Sequence, residues 1–516
     1  MWHAADLQDK MIHHAPGYKF DGLNKPHFDW AAFKPQRDAY IRRLNNIYAN
    51  NFEKEGVEFH QGFGHLTSPN TVEVKRPNGQ TYTLKADHIT VAVGGEPIIP
   101  SDNRVPGASL GIDSDGFFDI TQQPKRVAVI GAGYIAVELA GIFRTLGSEV
   151  HMFIRGETVL RTFDPSLQEV LTPWMEKTGV SIHKKASVTK IEGERGKTLT
   201  VHTGTGDKVD VDLVLWAIGR RAVTHGLGLE ELGVKLDKKG DIIVDEYQNS
   251  SVKGIYAIGD VQGKWLLTPV AIAAGRRLAN RLFGPPELKD DKLSYDDIPS
   301  VVFSYVFICS LSFSDPVGSF CGATTQPSPY RDSGFDGTSG ATEVWRCCED
   351  LYVTWCTLAY WISTTDSSQT DKTSFRSLYF SMVDEAHKEP TMYKLIVVGP
   401  EERVVGVHLL GQGSDEALQG FAVAIKMGGE LSFFCLDDLF VYLYLINTRH
   451  HSSQKRSGRH GCYSPYLCRR CVFNYFLHFQ PCISFYFHYR FLPTLFCDID
   501  LSHFRARHFA LNGGIR

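Results

Sequence analysis

The first 308 residues contain no cysteine. All eleven thiols lie beyond, at 309, 321, 347, 348, 356, 435, 462, 468, 471, 482 and 497. That excludes a cysteine nucleophile from the first three-fifths of the chain. An excess of charge is also missing: 54 basic and 58 acidic residues leave a net charge of −4. Nothing electrostatic therefore argues for nucleic acid or an anionic membrane surface. The start, Met1-Trp2-His3-Ala4-Ala5-Asp6, lacks the basic stretch and apolar core of a secretory signal. A long uninterrupted apolar run is absent too. The aromatic-rich stretch 472–497 is broken by Asn474, His478, Gln480, Pro481, His488, Arg490 and Pro493. It reads as no transmembrane helix, and it lacks strand alternation. Cys468 and Cys471, with Cys462 nearby, have only His460 to complete a zinc set. They read as a chance grouping in a cysteine-rich tail, so no metal site is expected.

What is present starts with size. At 516 residues and 43% apolar content, about three domains with sizeable cores are expected. The most informative stretch begins at Arg126. Val127 to Ile130 reads as a buried parallel strand, followed by Gly131-Ala132-Gly133-Tyr134-Ile135-Ala136. Gly131 allows the tight turn, Gly133 lets backbone approach a pyrophosphate, and Ala136 takes the third small position. A helix from about Tyr134 to Leu146 would aim its N-terminal N–H groups at the phosphates. The next strand, Glu149 to Ile154, ends on Arg155, 24 residues after Gly131, with Arg161 close behind. An acid there would take a ribose hydroxyl. Cations suit a 2′-phosphate, so the expected cofactor is NADP.

Other segments fall in place around this unit. A helix is expected from about Trp30 to Asn51, with Tyr40, Ile41, Leu44, Ile47 and Tyr48 at helical spacings. Strands follow, with a turn at Arg76-Pro77-Asn78-Gly79, and then Val91-Ala92-Val93 running into Gly94-Gly95. Val214 to Trp216 and Ile255 to Ile258 read as buried strands ending in Gly219 and Gly259-Asp260. Thr268-Pro269 reads as an N-cap and first helical position, and that helix should end before Gly284. An aspartate after a strand, with a helix N-terminus eight residues on, suits flavin polar atoms as well as it suits a capped loop. From 305 to 373 no period is visible. A hairpin over 394–410 and a helix from Ser414 to Met427 restore order, which is lost again after Gly429.

With these blocks placed, the chain resembles the flavoproteins of the pyridine-nucleotide disulfide oxidoreductase family, specifically the branch that reduces glutathione disulfide with NADPH. The resemblance rests on Gly131 to Glu138, the Arg155–Arg161 pair, Trp216-Ala217-Ile218-Gly219-Arg220, Gly254 to Val261, Leu267 to Arg276 and Leu418 to Ala424. It implies an α/β fold: a Rossmann-like, doubly wound NADP-binding domain between parts of an FAD-binding domain, plus a partial α+β dimerisation domain. The implied boundaries are 1–120 for partial FAD binding, 121–250 for NADP and 251–304 for the return to the FAD region. Residues 374–428 would be dimerisation, while 305–373 and 429–516 would be aberrant, disordered sequence. Gly131, Ala132, Gly133, Tyr134, Ile135, Glu138, Arg155, Arg161 and Gly219 would serve NADPH, with Tyr134 as a gate over the nicotinamide. Gly64, Asp260, Leu266 and Thr268 would serve FAD. Tyr48, Arg276 and Val301 would line the glutathione disulfide site. A homodimer and a cytoplasmic, alternatively mitochondrial, location are further implications.

The departures are equally specific. The family opens on an FAD-binding βαβ unit with its own glycine motif and a redox CxxxxC. Neither occurs before residue 131, and Met1-Trp2 resembles the stretch just after that CxxxxC. The family's His-Pro acid has no counterpart after Gly428. No catalytic residue is therefore assigned, and the chain is expected to be inactive. Two rival expectations are an NAD-dependent relative of dihydrolipoamide dehydrogenase, which would want an acid at Arg155, and a non-catalytic NADP-binding remnant.

Overall fold

The computed structural model describes residues 1–20, 26–304, 307–312, 382–398 and 403–428. Its centre is a four-stranded parallel sheet built from short, mainly apolar strands. These are β6 (Arg126–Ile130), β7 (Glu149–Phe153), β8 (Val180–His183) and β12 (Leu213–Trp216), ordered β12-β6-β7-β8. Runs such as Val127 to Ile130 are buried because helices cover the sheet. The covering helices include α4 (Tyr134–Thr145) and α5 (Pro165–Lys177). Val137, Ala140 and Phe143 of α4 pack with Val127, Val129 and Val150. In chain order the strands read 4-1-2-3, half of a dinucleotide-binding sheet. Its direction of winding reverses between β6 and β12, where such sheets take their ligand. The connection from β8 to β12 is an antiparallel meander of β9 (Val188–Gly193), β10 (Leu199–Thr203) and β11 (Lys208–Val211).

A second core lies under the flanking segments. A meander of β1 (Phe63–Ser68), β2 (Thr71–Lys75) and β3 (Thr81–Lys85) turns at Asn78-Gly79, as the sequence predicts. The short β4 (Ile89–Val91) lies parallel to β14 (Ile255–Ala257). The ribbon β5 (Gly95–Pro97) pairs antiparallel with β13 (Arg220–Ala222). Leu66, Val91, Leu227, Ile242, Ala257 and Val261 form one apolar cluster that joins the two sides. Burial of Val91 stops at Val93, which is 44% exposed, so the predicted strand through Val93 ends two residues early.

The helices α1 (Trp2–Asp9), α2 (Trp30–Lys54), α3 (Ser114–Asp119) and α6 (Thr268–Phe283) surround these sheets. The helix α2 starts where Asp29 accepts from the Ala32 N–H at 2.9 Å, and it buries only Trp30. Its predicted apolar stripe through Tyr40, Ile41, Ile47 and Tyr48 faces outward in the single chain. For α6 the sequence places the cap one residue late. Leu267 is the N-cap, Thr268 is the first helical residue, and no side chain caps the end.

The last unit is a four-stranded antiparallel sheet of β15 (Ser300–Phe303), β16 (Phe307–Ser312), β17 (Met392–Val398) and β18 (Arg403–Leu410), ordered β15-β16-β18-β17. The predicted hairpin is β17–β18, and the predicted helix is α7 (Ser414–Lys426). β16 lies inside the stretch expected to lack regular structure. Pairing on both edges makes it a strand: Cys309 opposes Val301 on one side and Leu409 on the other. The rest of 305–373 to which that expectation applied, and the tail 429–516, fall outside the described residues. Among those described, no helix is long and apolar enough to cross a membrane.

Candidate functional site

Gly131 closes β6 with φ +142°, a conformation that side chains rarely adopt. A Cβ there would lie 2.1 Å from the Ala217 carbonyl oxygen, which follows β12. Two strand ends therefore converge at the reversal point, and only glycine permits it. Gly133 is different. It is the N-cap of α4, and a Cβ on it would meet nothing within 4 Å. No side chain caps this helix. Its first-turn N–H groups, from Tyr134 to Ala136, thus face the opening above Gly133 without intrahelical carbonyls. Open space at a glycine beside free N–H groups is the geometry that a pyrophosphate fits.

The segment that carries the two arginines runs beside this turn, where Leu160 bonds to Ala132. Arg155 and Arg161 are both exposed, and among the described residues neither makes an ion pair. Arg161 folds back so that its Nη1 lies 3.6 Å from the position of a Cβ on Gly156, next to Arg155. Leu160 causes the fold-back. It has φ +53°, its side chain is buried, and its N–H donates to the Ala132 carbonyl at 2.7 Å. A bulky residue in that backbone region is strained. The buried leucine and the Ala132 bond hold it there. No sequence pattern marks Leu160 for this role.

Other predicted residues take definite places. Ile135 packs against the central core. Glu138 accepts from the Phe303 backbone N–H at 3.0 Å, and burial raises its carboxyl above the usual range. That bond ties α4 to β15 and commits part of the carboxylate to protein rather than ligand. Tyr134 is half-buried, and burial raises its hydroxyl. Arg220, Asp260 and Glu138 are its charged neighbours, which sets it between the glycine turn and the Asp260 loop. Gly219, at φ +134°, leads into β13, and its carbonyl accepts from Ile98 at 3.0 Å. Through the β5–β13 ribbon this reaches Asp260, whose Cβ lies 3.8 Å from the place of a Cβ on Gly95.

Asp260 sits in a 3-10 turn after β14, and this turn packs on α6 through Gly259 and Ala271. Thr268 is exposed and Leu266 half-buried at the uncapped N-terminus of α6. Gly64 lies across the same core, on β1 opposite Val74. An acid beside a helix start that no side chain caps fits the polar atoms of a flavin nucleotide. The three residues expected at the disulfide site are on separate elements: Tyr48 on α2, Arg276 on α6 and Val301 on β15. Tyr48 and Arg276 are exposed, and no hydrogen bond or ring contact joins any of the three. A cavity of about 650 Å³ lies elsewhere, lined by Trp2, Phe33, Tyr40, Phe117 and Phe303, and shares only Glu138 with the predicted set.

Comparison with known proteins bears on the family rather than on single residues. A family model described as pyridine nucleotide-disulphide oxidoreductase matches residues 8–275. The model of that family's dimerisation domain matches residues 364–446, which extends past both limits expected from the sequence, 374 and 428. Among curated proteins, the chain is 41% identical over 445 residues to glutathione reductase of Yarrowia lipolytica, covering 84% of this chain and 85% of that protein. It is 42% identical over 436 residues to glutathione reductase of Schizosaccharomyces pombe, 84% of each. For the glutathione reductase of Debaryomyces hansenii the identity is 39% over 450 residues, 83% of each.

Proposed function

The chain belongs to the pyridine nucleotide-disulphide oxidoreductase family, and from that premise we propose that its framework serves NADPH-dependent, FAD-linked reduction of glutathione disulfide. When bound, the nicotinamide and flavin supply the hydride and the two-electron relay. The chain's own residues bind and orient. Arg155 and Arg161 grip the 2′-phosphate, because paired guanidinium groups match phosphate oxygens bidentately. The first-turn N–H groups behind Gly131, Ala132 and Gly133 hold the pyrophosphate, with Ile135, Glu138 and Gly219 around the nucleotide. Tyr134 covers the nicotinamide side. Asp260, Thr268, Leu266 and Gly64 hold FAD. Arg276, Tyr48 and Val301 receive the disulfide, and the exposed Arg276 suits a peptide carboxylate. A homodimer joined through the C-terminal sheet, and a cytoplasmic or mitochondrial compartment, go with this reading.

The observation that supports the nucleotide choice is that both arginines are exposed, with Arg161 folded back over Gly156 beside Arg155 in the chain. Calorimetry on the full chain should find NADP+ bound more tightly than NAD+. Arg155→Glu should move that preference toward NAD+ by roughly 1–3 kcal/mol, the range of a charge-assisted hydrogen bond. Equal affinity for both nucleotides in the unmutated protein would defeat the assignment.

A further inference from the structure

Away from the nucleotide turns, the N-terminal helix carries an unusual ending. After α1 the chain continues as a π-helical turn, Lys10–His14. Such a turn closes i→i+5 bonds and often marks functional sites. Here it brings Asp9 and His14, five residues apart, onto one side: His14 Nε2 lies 4.0 Å from an Asp9 carboxylate oxygen. A third group arrives from the segment before β17. The Glu389 carboxylate joins these two so that one ligand atom from each lies within 4.8 Å of the others.

Glu389 is only 9% exposed, and among the described residues it has no hydrogen bond or ion pair. A carboxylate buried this deeply is costly unless it is paired, coordinates a metal or keeps its proton, and burial pushes the Glu389 carboxyl up to about 8, so a bound ion would displace that proton. The nearby cation does not serve, because Lys10 is bonded to Asp6 at 2.8 Å. Outer support is in place. His13 Nδ1 lies 2.9 Å from the other Asp9 oxygen, and its ring stacks on His387 at 4.0 Å. Ligating carboxylates are typically fixed by such a second contact. The two segments also meet in backbone, where a Cβ on Gly17 would strike the Met382 carbonyl oxygen at 1.9 Å.

We propose that Asp9, His14 and Glu389 form a binding site for one divalent first-row metal ion, clipping the N-terminal helix to the segment that leads into β17. Metal–ligand bonds of about 2.0–2.2 Å hold three donors around one ion at roughly 3.4–3.7 Å from one another. The 4.0 Å pair needs a closure of about half an ångström, and the widest separation one of about 1 Å. Two carboxylates and one imidazole suit Mn2+ or Zn2+, and the partial exposure of Asp9 leaves an entry path with room for water.

Mn2+ is the probe, because thiolates select softer metals and the eleven cysteines then do not compete. Paramagnetic resonance of free Mn2+ during titration of chelator-treated full chain should show one equivalent bound, displaced by Zn2+. Glu389→Gln keeps the shape and removes the charge, and should weaken binding more than about tenfold. His14→Gln should do the same. Mn2+ should also raise the thermal midpoint of the unmutated protein and leave that of Glu389→Gln unmoved. A titration without a one-equivalent site, or one unchanged in both variants, overturns the proposal and leaves the nucleotide reading untouched.

Discussion

At the scale of residues, two glycines two positions apart do opposite work. Gly131 is a folding requirement, since its backbone conformation and the Ala217 carbonyl 2.1 Å from a Cβ position both exclude a side chain. Gly133 carries no such constraint, since a Cβ there meets only open space, and in the proposed function that space is the pyrophosphate's approach. The pair gives a clean dissociation. Gly131→Ala should lower unfolding free energy in denaturant by about 1–3 kcal/mol, the cost of a strained backbone residue, and more if the strands part. Gly133→Ala should leave stability within about 0.5 kcal/mol. It should nonetheless weaken NADP+ binding strongly, because the methyl occupies the pyrophosphate's approach. Denaturation and calorimetry on both variants check this. Comparable destabilisation by both would refute the division. The tight turn at Gly131 was readable from sequence because spacing within one turn decides it. Leu160 was not. Its left-handed backbone is held by the Ala132 carbonyl and a core that other segments supply, and no local pattern encodes either.

At the scale of elements, α5 is fastened to the C-terminal sheet by one carboxylate. Asp164 caps α5 by accepting from the Ser166 N–H at 2.9 Å. The same group takes the Lys394 ammonium of β17 at 3.0 Å and lies 3.6 Å from His408 Nε2 on β18. Burial would raise Asp164, but His408 and Lys394 outweigh it and hold the carboxyl below its usual range. Burial pushes the His408 imidazole from 6.5 down to about 4; Asp164 opposes this shift and Lys394 adds to it. The unfolded chain therefore takes up a proton at His408 between pH 6.5 and 4 that the folded chain refuses. The resulting stability is full above about 6.5 and is lost as pH falls toward 4. A shift of this size corresponds to about 3 kcal/mol. His14, His183 and His387 are also lowered by burial and slope the same way, so a variant must isolate His408. Urea unfolding of the His408→Gln chain should show a shallower fall over that window than the parent. An unchanged slope would mean that His408 is not buried neutral. Helix–sheet elements such as α4 and the β17–β18 hairpin were legible because their periodicity is internal. The fastening between α5 and β18 was not, since it joins residues 244 positions apart. β16 was misread for a related reason: its strand character comes from two neighbours rather than from its own alternation.

At the scale of the whole molecule, the residues proposed to bind the nucleotides and the thiols lie in different parts of the chain. The nucleotide turn, the Arg155–Arg161 pair and the Asp260 loop sit around one framework. Passing electrons to a disulfide, however, requires a thiolate that contacts the flavin and a second thiol to pair with it. Residues 1–308 offer none. The first cysteine, Cys309, is on β16, a strand of the C-terminal sheet rather than of the Asp260 loop or α6. The family's His-Pro acid has no match in the sequence after Gly428. Placement to within a fraction of an ångström is needed for both groups, and no local rearrangement of this framework supplies it. The purified polypeptide, given FAD, NADPH and glutathione disulfide, is therefore expected to bind NADPH yet show no NADPH oxidation above a control without protein. Turnover of glutathione disulfide by the unaltered chain, with contaminating reductase excluded, would show instead that one of the eleven distal cysteines reaches the flavin.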